Sequence, residues 1–577
     1  MPRVNDAVEA ILLEYADLLS ILSEDPFKPR AYEKAARAVG GYPADLSTLD
    51  LKGILAIPNV GKSIGEKVDE YLRTGTIAAL EELRAQIPEG VRRLMSVPGL
   101  GPKKAMVLYR ELGIASVEEL MEAVENDRLA GLRGFGSKTQ ENIRRGIQQL
   151  RASGGRVLLN VALDLAEGLL EELETVPAVR RAAVAGSLRR MAETIGDIDL
   201  LVSSTDPRAV MEAFTALPAV ERVLASGETK TSVITRSGLQ VDLRVVAPQV
   251  WGAALIYFTG SKAHNIRIRE MAVRKGLKLS EYGLFDAKSG KRIVAETEEA
   301  VYEHLGLPYI PPTLREDRGE VEAALEGDLP RLVELKQIRG DLHTHTNLTD
   351  GLAPLEEMLK AASCLGYAYY AVTDHAPNLA MQRMTDEKIL GQRERLRKLQ
   401  AGYPKMALLH GAELNIDPDG NVDWDAEFLA GFDVLVASVH SHFNLGKDEM
   451  TRRIVRAMEN PFVHVLGHPT ARLIGRRQPI EFDLDEVFRT AARTGTALEV
   501  NAFPDRLDLK DEHILWAKRH GVKFVIDTDS HAPVHLPHMR FGVATAQRGW
   551  LTKDDVVNAW PLARLKRFLR KERVARS

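Results

Sequence analysis

Apolar residues recur at helical spacing from Ala7 to Leu22 (Val8, Ile11, Leu12, Tyr15, Leu18, Leu19, Leu22), which predicts a helix, and Ala31–Val39 predicts a second one after Pro29. Three units then repeat one pattern, an apolar helix end, a tight glycine turn and a new helix. They are Leu55–Gly65 with Gly61 in its turn, Leu94–Ala105 with Gly99 and Gly101, and more loosely Leu132–Lys138. From residue 155 to about 250 the pattern changes to that of strands. Ala182–Gly186, Ile198–Val202, Ser232–Thr235 and Leu239–Val246 alternate with helical segments, predicting a mixed sheet with helices on one side. Residues 250–315 read as mainly helical, and Pro308, Pro311 and Pro312 followed by Arg315-Glu316-Asp317-Arg318 predict the start of a connector. Beyond residue 339 an apolar strand, a polar cluster at its C-terminal end and a helix repeat. Tyr369–Thr373 ends in Asp374-His375, Ala407–Leu409 leads to Glu413, Val434–Val439 ends in His440, Val463–Leu466 in His468, and Lys523–Ile526 in Asp527-Thr528-Asp529-Ser530-His531. Polar residues at successive strand ends describe the top of a β/α barrel, where that architecture places its chemistry. The pattern therefore predicts a multidomain α+β and α/β chain: a helical region, a mixed sheet, a small helical domain and a C-terminal distorted β/α barrel.

Composition narrows this outline. A chain of 577 residues allows roughly three to five domains. The single cysteine, Cys364, excludes an intrachain disulfide and a cysteine-based zinc site. The N-terminus lacks a basic region followed by an apolar core, and no run of eighteen apolar residues occurs, so a cytoplasmic protein with no membrane span is expected. With 77 basic against 81 acidic residues the net charge is -4, so nucleic-acid binding must come from local basic surfaces. Of the 15 histidines only His264 and His304 precede residue 339, which marks a boundary.

Two helices joined by a glycine turn present backbone N–H groups at a helix N-terminus, which suits a phosphate oxygen, and Lys62, Lys103, Lys104 and Lys138 add charge without reading bases. One such turn is an ordinary helix connection; repetition turns the reading toward phosphate contact. A P-loop ending at Gly61-Lys62-Ser63 is rejected because its first glycine is Ala56 and a helical segment precedes it. The units resemble helix-hairpin-helix modules of DNA repair proteins, and the resemblance implies DNA-backbone contact by Gly61, Lys62, Gly99, Gly101, Lys103 and Lys104.

Asp197 and Asp199 stand at i and i+2 in Gly196-Asp197-Ile198-Asp199-Leu200-Leu201, hence on one face of a strand, where two like charges repel unless a cation lies between them. Asp242, between Val241 and Leu243 on a later strand, supplies a third ligand if the strands pair. Three such carboxylates suit Mg²⁺ ions that bind a primer hydroxyl and a triphosphate. Upstream, Gly186-Ser187-Leu188-Arg189-Arg190 places a glycine turn, a hydroxyl and two guanidinium groups after a strand, a good triphosphate holder. An isolated Asp-x-Asp would more often be solvated or capping; its coincidence with the Gly-Ser turn and Asp242 favours the metal reading.

This set resembles the nucleotidyltransferase superfamily. Tyr257-Phe258-Thr259-Gly260-Ser261, with Asn265 and Arg269 downstream, narrows the resemblance to family X DNA polymerases. It implies that Gly186, Ser187 and Arg190 hold the triphosphate. The Tyr257-Phe258 segment crowds a ribose 2′-hydroxyl, Gly260 belongs to the same substrate-binding motif, and Asn265 and Arg269 face the nascent pair or template. On residue chemistry alone, Tyr257 and Phe258 suit a core equally well. By the same resemblance Lys67 occupies the Schiff-base position of the polymerase beta lyase domain. Lys28 and Lys34 are retained there, but Ser63 and Ala79 replace two supporting lysines, which leaves a lyase nucleophile and a plain surface lysine both open.

The second half holds nine N and O donors without sulfur: His343, His345, Asp350, His375, Glu413, His440, His468, Asp529 and His531. They suit a cluster of two or three Mn²⁺, Zn²⁺ or Fe²⁺ ions acting on phosphorus. His410, His464, His513, His520, His535 and His538 are read as structural, and His442 is left open. The nine match the PHP (polymerase and histidinol phosphatase) family residue by residue over about 339–560, which implies phosphoester hydrolysis. The last helix, Leu562 to Arg576, is expected to dock on the barrel with a solvated basic face.

Together the resemblances describe a bacterial or archaeal family X DNA polymerase with a C-terminal PHP domain. They imply a lyase-like helical domain (1–85), a helix-hairpin-helix fingers-like domain (86–150), a nucleotidyltransferase palm (151–250), a nucleotide-selecting thumb (251–315), a linker (316–338) and a PHP phosphoesterase (339–577). The expected work is short gap filling in base-excision or end-joining repair on gapped or nicked duplex DNA with a 5′-phosphate. The monomer would use dNTPs with Mg²⁺ in the palm, and Mn²⁺ or Zn²⁺ in the barrel for 3′–5′ exonuclease or 3′-end processing, extending to abasic-site incision. The rival readings are a nucleotidyltransferase acting on RNA or a small molecule, fused to a small-phosphate phosphatase, and a non-catalytic DNA-end scaffold.

Overall fold

The N-terminal helix, Val4–Leu22, packs against Phe27–Gly40, and Val8, Leu12, Tyr32, Ala35 and Val39 share one core with the later helices up to Ile147. The second helix starts four residues earlier than its periodicity predicts. Pro29 sits in its first turn, where the missing N–H has no intrahelical partner to lose. These elements belong to a computed structural model that describes residues 4–571 apart from 23–26, 41, 43–44, 96, 98–99, 127, 130, 133, 137–138, 141–142, 145–146, 148–154 and 380–383. One expected hairpin lies within it, Leu51–Leu55 turning into Lys62–Thr74; of the second, the helices Glu89–Leu94 and Pro102–Leu112 are described.

The next seven strands are β1 (Val157–Leu158), β2 (Val179–Val184), β3 (Thr194–Ile195), β4 (Asp197–Ser204), β5 (Val220–Ser226), β6 (Lys230–Thr235) and β7 (Gln240–Val246). β1 and β3 form a small ribbon, and the others form one mixed sheet in the order β2-β4-β7-β6-β5, with β4 and β7 parallel. Ile198, Leu200 and Val202 of β4 and Val241, Leu243 and Val245 of β7 pack with helices Leu159–Glu174 and Pro207–Thr215 on one face. Alternation sends Asp197 and Asp199 to the other face. That face is not bare, as helices on one side would imply. Further along it Leu201 and Ala183 meet Trp251, Ala254 and Leu255 of helix Trp251–Thr259.

The segment read as mainly helical contains helices Trp251–Thr259, Lys262–Arg274 and Glu298–His304. It also holds an antiparallel sheet of β8 (Leu277–Ser280), β9 (Gly283–Asp286) and β10 (Arg292–Val294). Strands of three or four residues are too short for alternation to register. The charged run read as a connector is packed instead. Arg315 is fully buried, its Nη1 lies 2.8 Å from Glu298 Oε1, and Arg189 Nη2 lies 2.6 Å from Glu298 Oε2. Glu316 accepts from Arg190 Nε at 3.0 Å and from Arg548 Nη1 at 2.8 Å, while Arg318 Nη1 reaches Asp511 at 3.0 Å. Burial works against ionisation of Glu298, but the two guanidinium groups outweigh it and hold the carboxyl below its usual range. Removing one partner of a buried pair strands the other's charge. Glu298→Gln is therefore expected to cost about 3–5 kcal/mol, read as a lower midpoint in denaturant unfolding followed by fluorescence.

The remaining strands, β11 (Gly340–Asp341), β12 (Tyr369–Val372), β13 (Ala407–Asn415), β14 (Val434–Ser438), β15 (Val465–Leu466), β16 (Ala497–Asn501) and β17 (Phe524–Asp527), pair in parallel in chain order. A parallel bridge between Thr344 and Ser530, and the Leu342 N–H on Asp527 Oδ1 at 2.8 Å, draw the ends together into a nearly closed barrel. β16 is not among the expected strands. The last helix, Leu562–Leu569, buries Leu565 and Leu569 against Leu342, Val436 and Val525, so it docks on the barrel. Leu507 and Phe541 of the barrel half, with Ile474, pack into the core of the mixed sheet. Arg472–Glu193 and Arg540–Asp164 ion pairs, at 2.7 and 3.0 Å, join the same two halves. Among the described residues no helix is long and apolar enough to cross a membrane.

Candidate functional site

The parallel pairing of β4 and β7 sets Asp199 opposite Asp242 and Asp197 opposite Gln240, so strand register alone gathers the three acids. Asp199 is pushed up to about 6 by burial and by the charges of Asp197 and Asp242. Burial also opposes ionisation of Asp242, but hydrogen bonds from Lys230, Gln240 and Ser232 bring it below the usual carboxylate range. Lys230 Nζ lies 2.6 Å from Asp242 Oδ2, and Gln240 Nε2 donates to Oδ1 at 2.9 Å. Lys230 had no motif to mark it; only its hairpin, which pairs β6 with β7, brings it there. The three acids are not among the groups whose ligand atoms close to within 4.8 Å of one another.

Gly186 follows β2 with φ +60°, and a Cβ built on it would lie 2.2 Å from Asp199 Oδ2. This is why a glycine stands in the Gly-Ser turn. Arg190 spends Nε on Glu316 and Nη1 on the Thr259 carbonyl, at 3.0 and 2.6 Å, while Ser187 is half-buried beside it. Tyr257 and Phe258 meet edge to face at 5.1 Å, and Phe258 also lies under Arg244. The Asn265 side chain donates to the Tyr257 carbonyl at 2.7 Å and Arg269 to the Asn265 carbonyl at 3.2 Å. Tyr257, Asn265 and Arg269 line one small pocket with Leu279 and Ser280. Gly260, at φ +67°, ends the helix beneath them.

Gly61 and Gly101 are the N-caps of Lys62–Thr74 and Pro102–Leu112, neither with a side-chain capping bond. No side chain caps the first-turn N–H groups beside the exposed Lys62 and Lys103 and the half-buried Lys104, although the Ile64 N–H already donates to the Gly61 carbonyl at 3.0 Å. Gly99 and Lys138 lie outside the described residues. Lys67 donates to Ser63 Oγ at 3.2 Å and sits over the rings of Tyr15 and Tyr32; Lys28 and Lys34 are exposed.

All nine donors of the second half converge. Three overlapping groups have ligand atoms mutually within 4.8 Å: His345, Asp350, His375 and His531; His343, His345 and Asp529; and His375, Glu413 and His440. His468 joins through Nε2, 3.0 Å from Glu413 Oε1. Burial alone would lower the His343 and His375 imidazoles. Glu413 and Glu499 at the first, and Asp350 and Glu413 at the second, hold both well above the usual histidine range. His468 and Asp529 adopt positive φ, 23° and 53°, a strained backbone of the kind found where a site fixes its side chains.

The donor set fits divalent ions on an observation independent of spacing. His343 Nε2, both ring nitrogens of His345 and His375 Nδ1 are buried with carboxylate oxygens 2.9–3.8 Å away yet make no well-aligned hydrogen bond, as ligand atoms grouped around a cation would. On the far side of the ring, His343 Nδ1 meets Glu499 Oε1 at 2.6 Å, and His440 Nδ1 meets Asn415 Oδ1 at 2.8 Å. Such partners fix the tautomer that leaves Nε2 free for a metal. Glu499 also accepts from the His468 N–H and from Asn501, which donates in turn to Asp529 at 3.1 Å. Glu499, Asn415 and Asn501 escaped the sequence reading; an acid between the apolar Leu498 and Val500 of a strand was the one signal. Glu499→Gln is expected to lower metal affinity about 10–100-fold, measured by titration of metal-stripped protein with Mn²⁺. None of the histidines read as structural joins these groups: His410 accepts from Arg393 at 3.2 Å, His464 from the Leu435 N–H at 3.0 Å and His535 from the backbone N–H of His531 at 3.2 Å. His442 is exposed and belongs to none of them.

The chain is 38% identical over 564 residues to the DNA polymerase/3′-5′ exonuclease PolX of Bacillus subtilis (strain 168), covering 97% of this chain and 98% of that protein. The chain belongs to the PolX family. Family models match four stretches of it: a helix-hairpin-helix domain over 3–77, a SAM-like helix-hairpin-helix tandem over 91–149, a DNA polymerase beta thumb over 254–316 and a PHP domain over 341–503. DNA polymerase lambda of Arabidopsis thaliana is 26% identical over 352 residues, 54% of this chain and 62% of that protein. A probable phosphatase of Thermoanaerobacter sp. (strain X514) is 26% identical over 245 residues, 40% of this chain and 95% of that protein. The chain thus matches relatives named as DNA polymerases and one named as a probable phosphatase.

Proposed function

We infer that this chain is a DNA-directed DNA polymerase that also carries a 3′–5′ exonuclease centre in its barrel. The observation that carries the reading is the register of Asp199 against Asp242 beside the Gly186 turn, in the same chain as a nine-donor cluster. Asp197, Asp199 and Asp242 would hold Mg²⁺, and the barrel cluster two or three Mn²⁺ or Zn²⁺ ions. In both centres the bound ions supply Lewis-acid stabilisation of charge at phosphorus. The protein's part is placement. Gly186 leaves room for the Asp199 carboxylate, and Lys230 holds Asp242 in its ionised form. Ser187 and the turn's N–H groups, with Arg190, receive the triphosphate. Tyr257 and Phe258 bound the sugar, and Asn265 and Arg269 face the base pair. Gly61, Gly99 and Gly101 with Lys62, Lys103 and Lys104 grip the DNA backbone, which counts against the RNA or small-molecule alternative.

The finer reading is short gap filling in repair, on gapped or nicked duplex DNA with a 5′-phosphate, by a monomeric cytoplasmic enzyme. Lys67, over the rings of Tyr15 and Tyr32, is the residue a lyase role would use. The test is one time course on a gapped duplex with a 5′-phosphate and a labelled primer, run with Mg²⁺, Mn²⁺ and Zn²⁺ in turn. Extension with dNTPs and shortening without them, on the same gel, are expected. A primer that is never extended with any of the three metals would overturn the reading.

A further inference from the structure

One charged side chain at the barrel's metal cluster has no place in the ligand set. Arg506 lies on the loop that follows β16, and that loop is tightly fixed. The Phe503 N–H donates to Asn501 Oδ1 at 3.0 Å, Leu507 N–H to the Phe503 carbonyl at 3.0 Å, and Asn501 N–H to the Asp508 carbonyl at 2.6 Å. Arg472 Nε donates to the Arg506 carbonyl itself at 2.8 Å. The next residue, Leu507, is buried in the core of the mixed sheet. The backbone that presents Arg506 is thus held from both halves of the molecule.

Its side chain enters the cluster. Nε stands 3.5 Å from Asp529 Oδ2, and its charge bears on Glu413 and His468 as well. Nη1 is buried without a hydrogen-bond partner, while the side chain as a whole keeps 20% of its surface exposed. A buried guanidinium N–H left unmade is costly, and a forked, permanently charged donor is the group best matched to a phosphate oxygen. Asp505 and Asp508 also bear on Arg506, and both oxygens of Asp508 are held by Thr470. Cations bound by Asp350, Glu413 and Asp529 would occupy those carboxylates, which leaves the unpartnered Nη1 beside the cluster matched to a phosphate oxygen.

We propose that Arg506 is a catalytic residue of the hydrolytic centre, its Nη1 donating to a non-bridging oxygen of the scissile phosphodiester at the DNA 3′ end. The proposal rests on the 3′–5′ exonuclease reading above. In the step it serves, a water oxygen forms a bond to phosphorus and the bond from phosphorus to the 3′ oxygen of the preceding nucleotide breaks. That oxygen keeps the electron pair and takes one of the water's protons, the other passing to solvent, and a nucleoside 5′-monophosphate leaves. Negative charge grows on the non-bridging oxygens on the way, and a donor already fixed at one of them needs no reorganisation.

The experiment uses the full chain loaded with Mn²⁺, as wild type, R506Q and R506K, on a 5′-labelled primer. Removal of the terminal nucleotide is expected to slow about a hundredfold in R506Q, and less in R506K, which keeps the charge without the fork. Bound Mn²⁺ per chain and primer extension stay at wild-type values. A phosphorothioate of one configuration at the scissile position slows the wild type, and this penalty shrinks in R506Q, a change that a merely structural role would not produce. Wild-type rates of shortening in R506Q, or loss of Mn²⁺ in step with activity, would overturn the assignment. A wild type that shortens no primer would sink the exonuclease reading itself, a separate and visible outcome.

Discussion

Gly186→Ala is expected to abolish nucleotide incorporation while leaving 3′-end shortening intact. The added Cβ would lie 2.2 Å from Asp199 Oδ2, and ordinary contact begins near 3.4 Å, so the carboxylate must retreat. The backbone cannot give instead, because φ of +60° is already the left-handed region that a β-carbon disfavours, and Ala185 and Leu188 beside the turn are buried. A displacement of about 1 Å at a reacting centre costs on the order of a hundredfold. Because Asp199 is also a proposed metal ligand, the expected fall in incorporation rate is about a thousandfold, equivalent to roughly 4 kcal/mol. Single-turnover incorporation on gapped DNA measures it. A variant that still incorporates within tenfold of the wild-type rate would mean that Asp199 is not required where β4 holds it.

Glu413→Gln should do the same to the other centre. One carboxylate meets His440 and His468 at 3.0 Å each, His375 at 2.9 Å, His343 at 3.4 Å and His345 at 3.6 Å. Burial works against its ionisation, and the surrounding imidazoles outweigh this, holding it well below the usual range. Glutamine keeps the shape and loses the charge that balances the cations. Mn²⁺-dependent shortening is expected to fall by about a thousandfold or more, with metal content dropping in parallel and primer extension unaffected. Retention of both metal and shortening would exclude Glu413 as a ligand.

These two positions also show what a sequence discloses. The juxtaposition of Asp197 and Asp199, and of the nine barrel donors, was legible because residues that one strand face or successive strand ends bring together leave a spacing, i and i+2, or a recurrence along the chain. Gly186 was legible as a turn, but its reason, the nearness of Asp199, needed the strand pairing. Glu499 and Asn501 were hidden because β16 was not recognised as a strand and Glu499 sits within it. Lys230 and Arg506 carry no motif; each reaches its site through a hairpin or loop whose path is set by distant contacts. The run Arg315-Glu316-Asp317-Arg318 misled for a related reason. Charge reads as exposure until its partners are known, and Arg548 and Asp511 lie some two hundred residues onward.

The mixed sheet and the barrel share a hydrophobic interior through Leu507, Phe541 and Ile474, reinforced by the Arg472–Glu193 pair. Burying such side chains stabilises by about 1.5–3 kcal/mol each, and that contribution would be lost if the two halves moved apart. Two workstations bolted to one bench cannot trade places. On the reading proposed above, it is then the DNA 3′ end that would have to commute between the two centres, over a path set by the protein's frame.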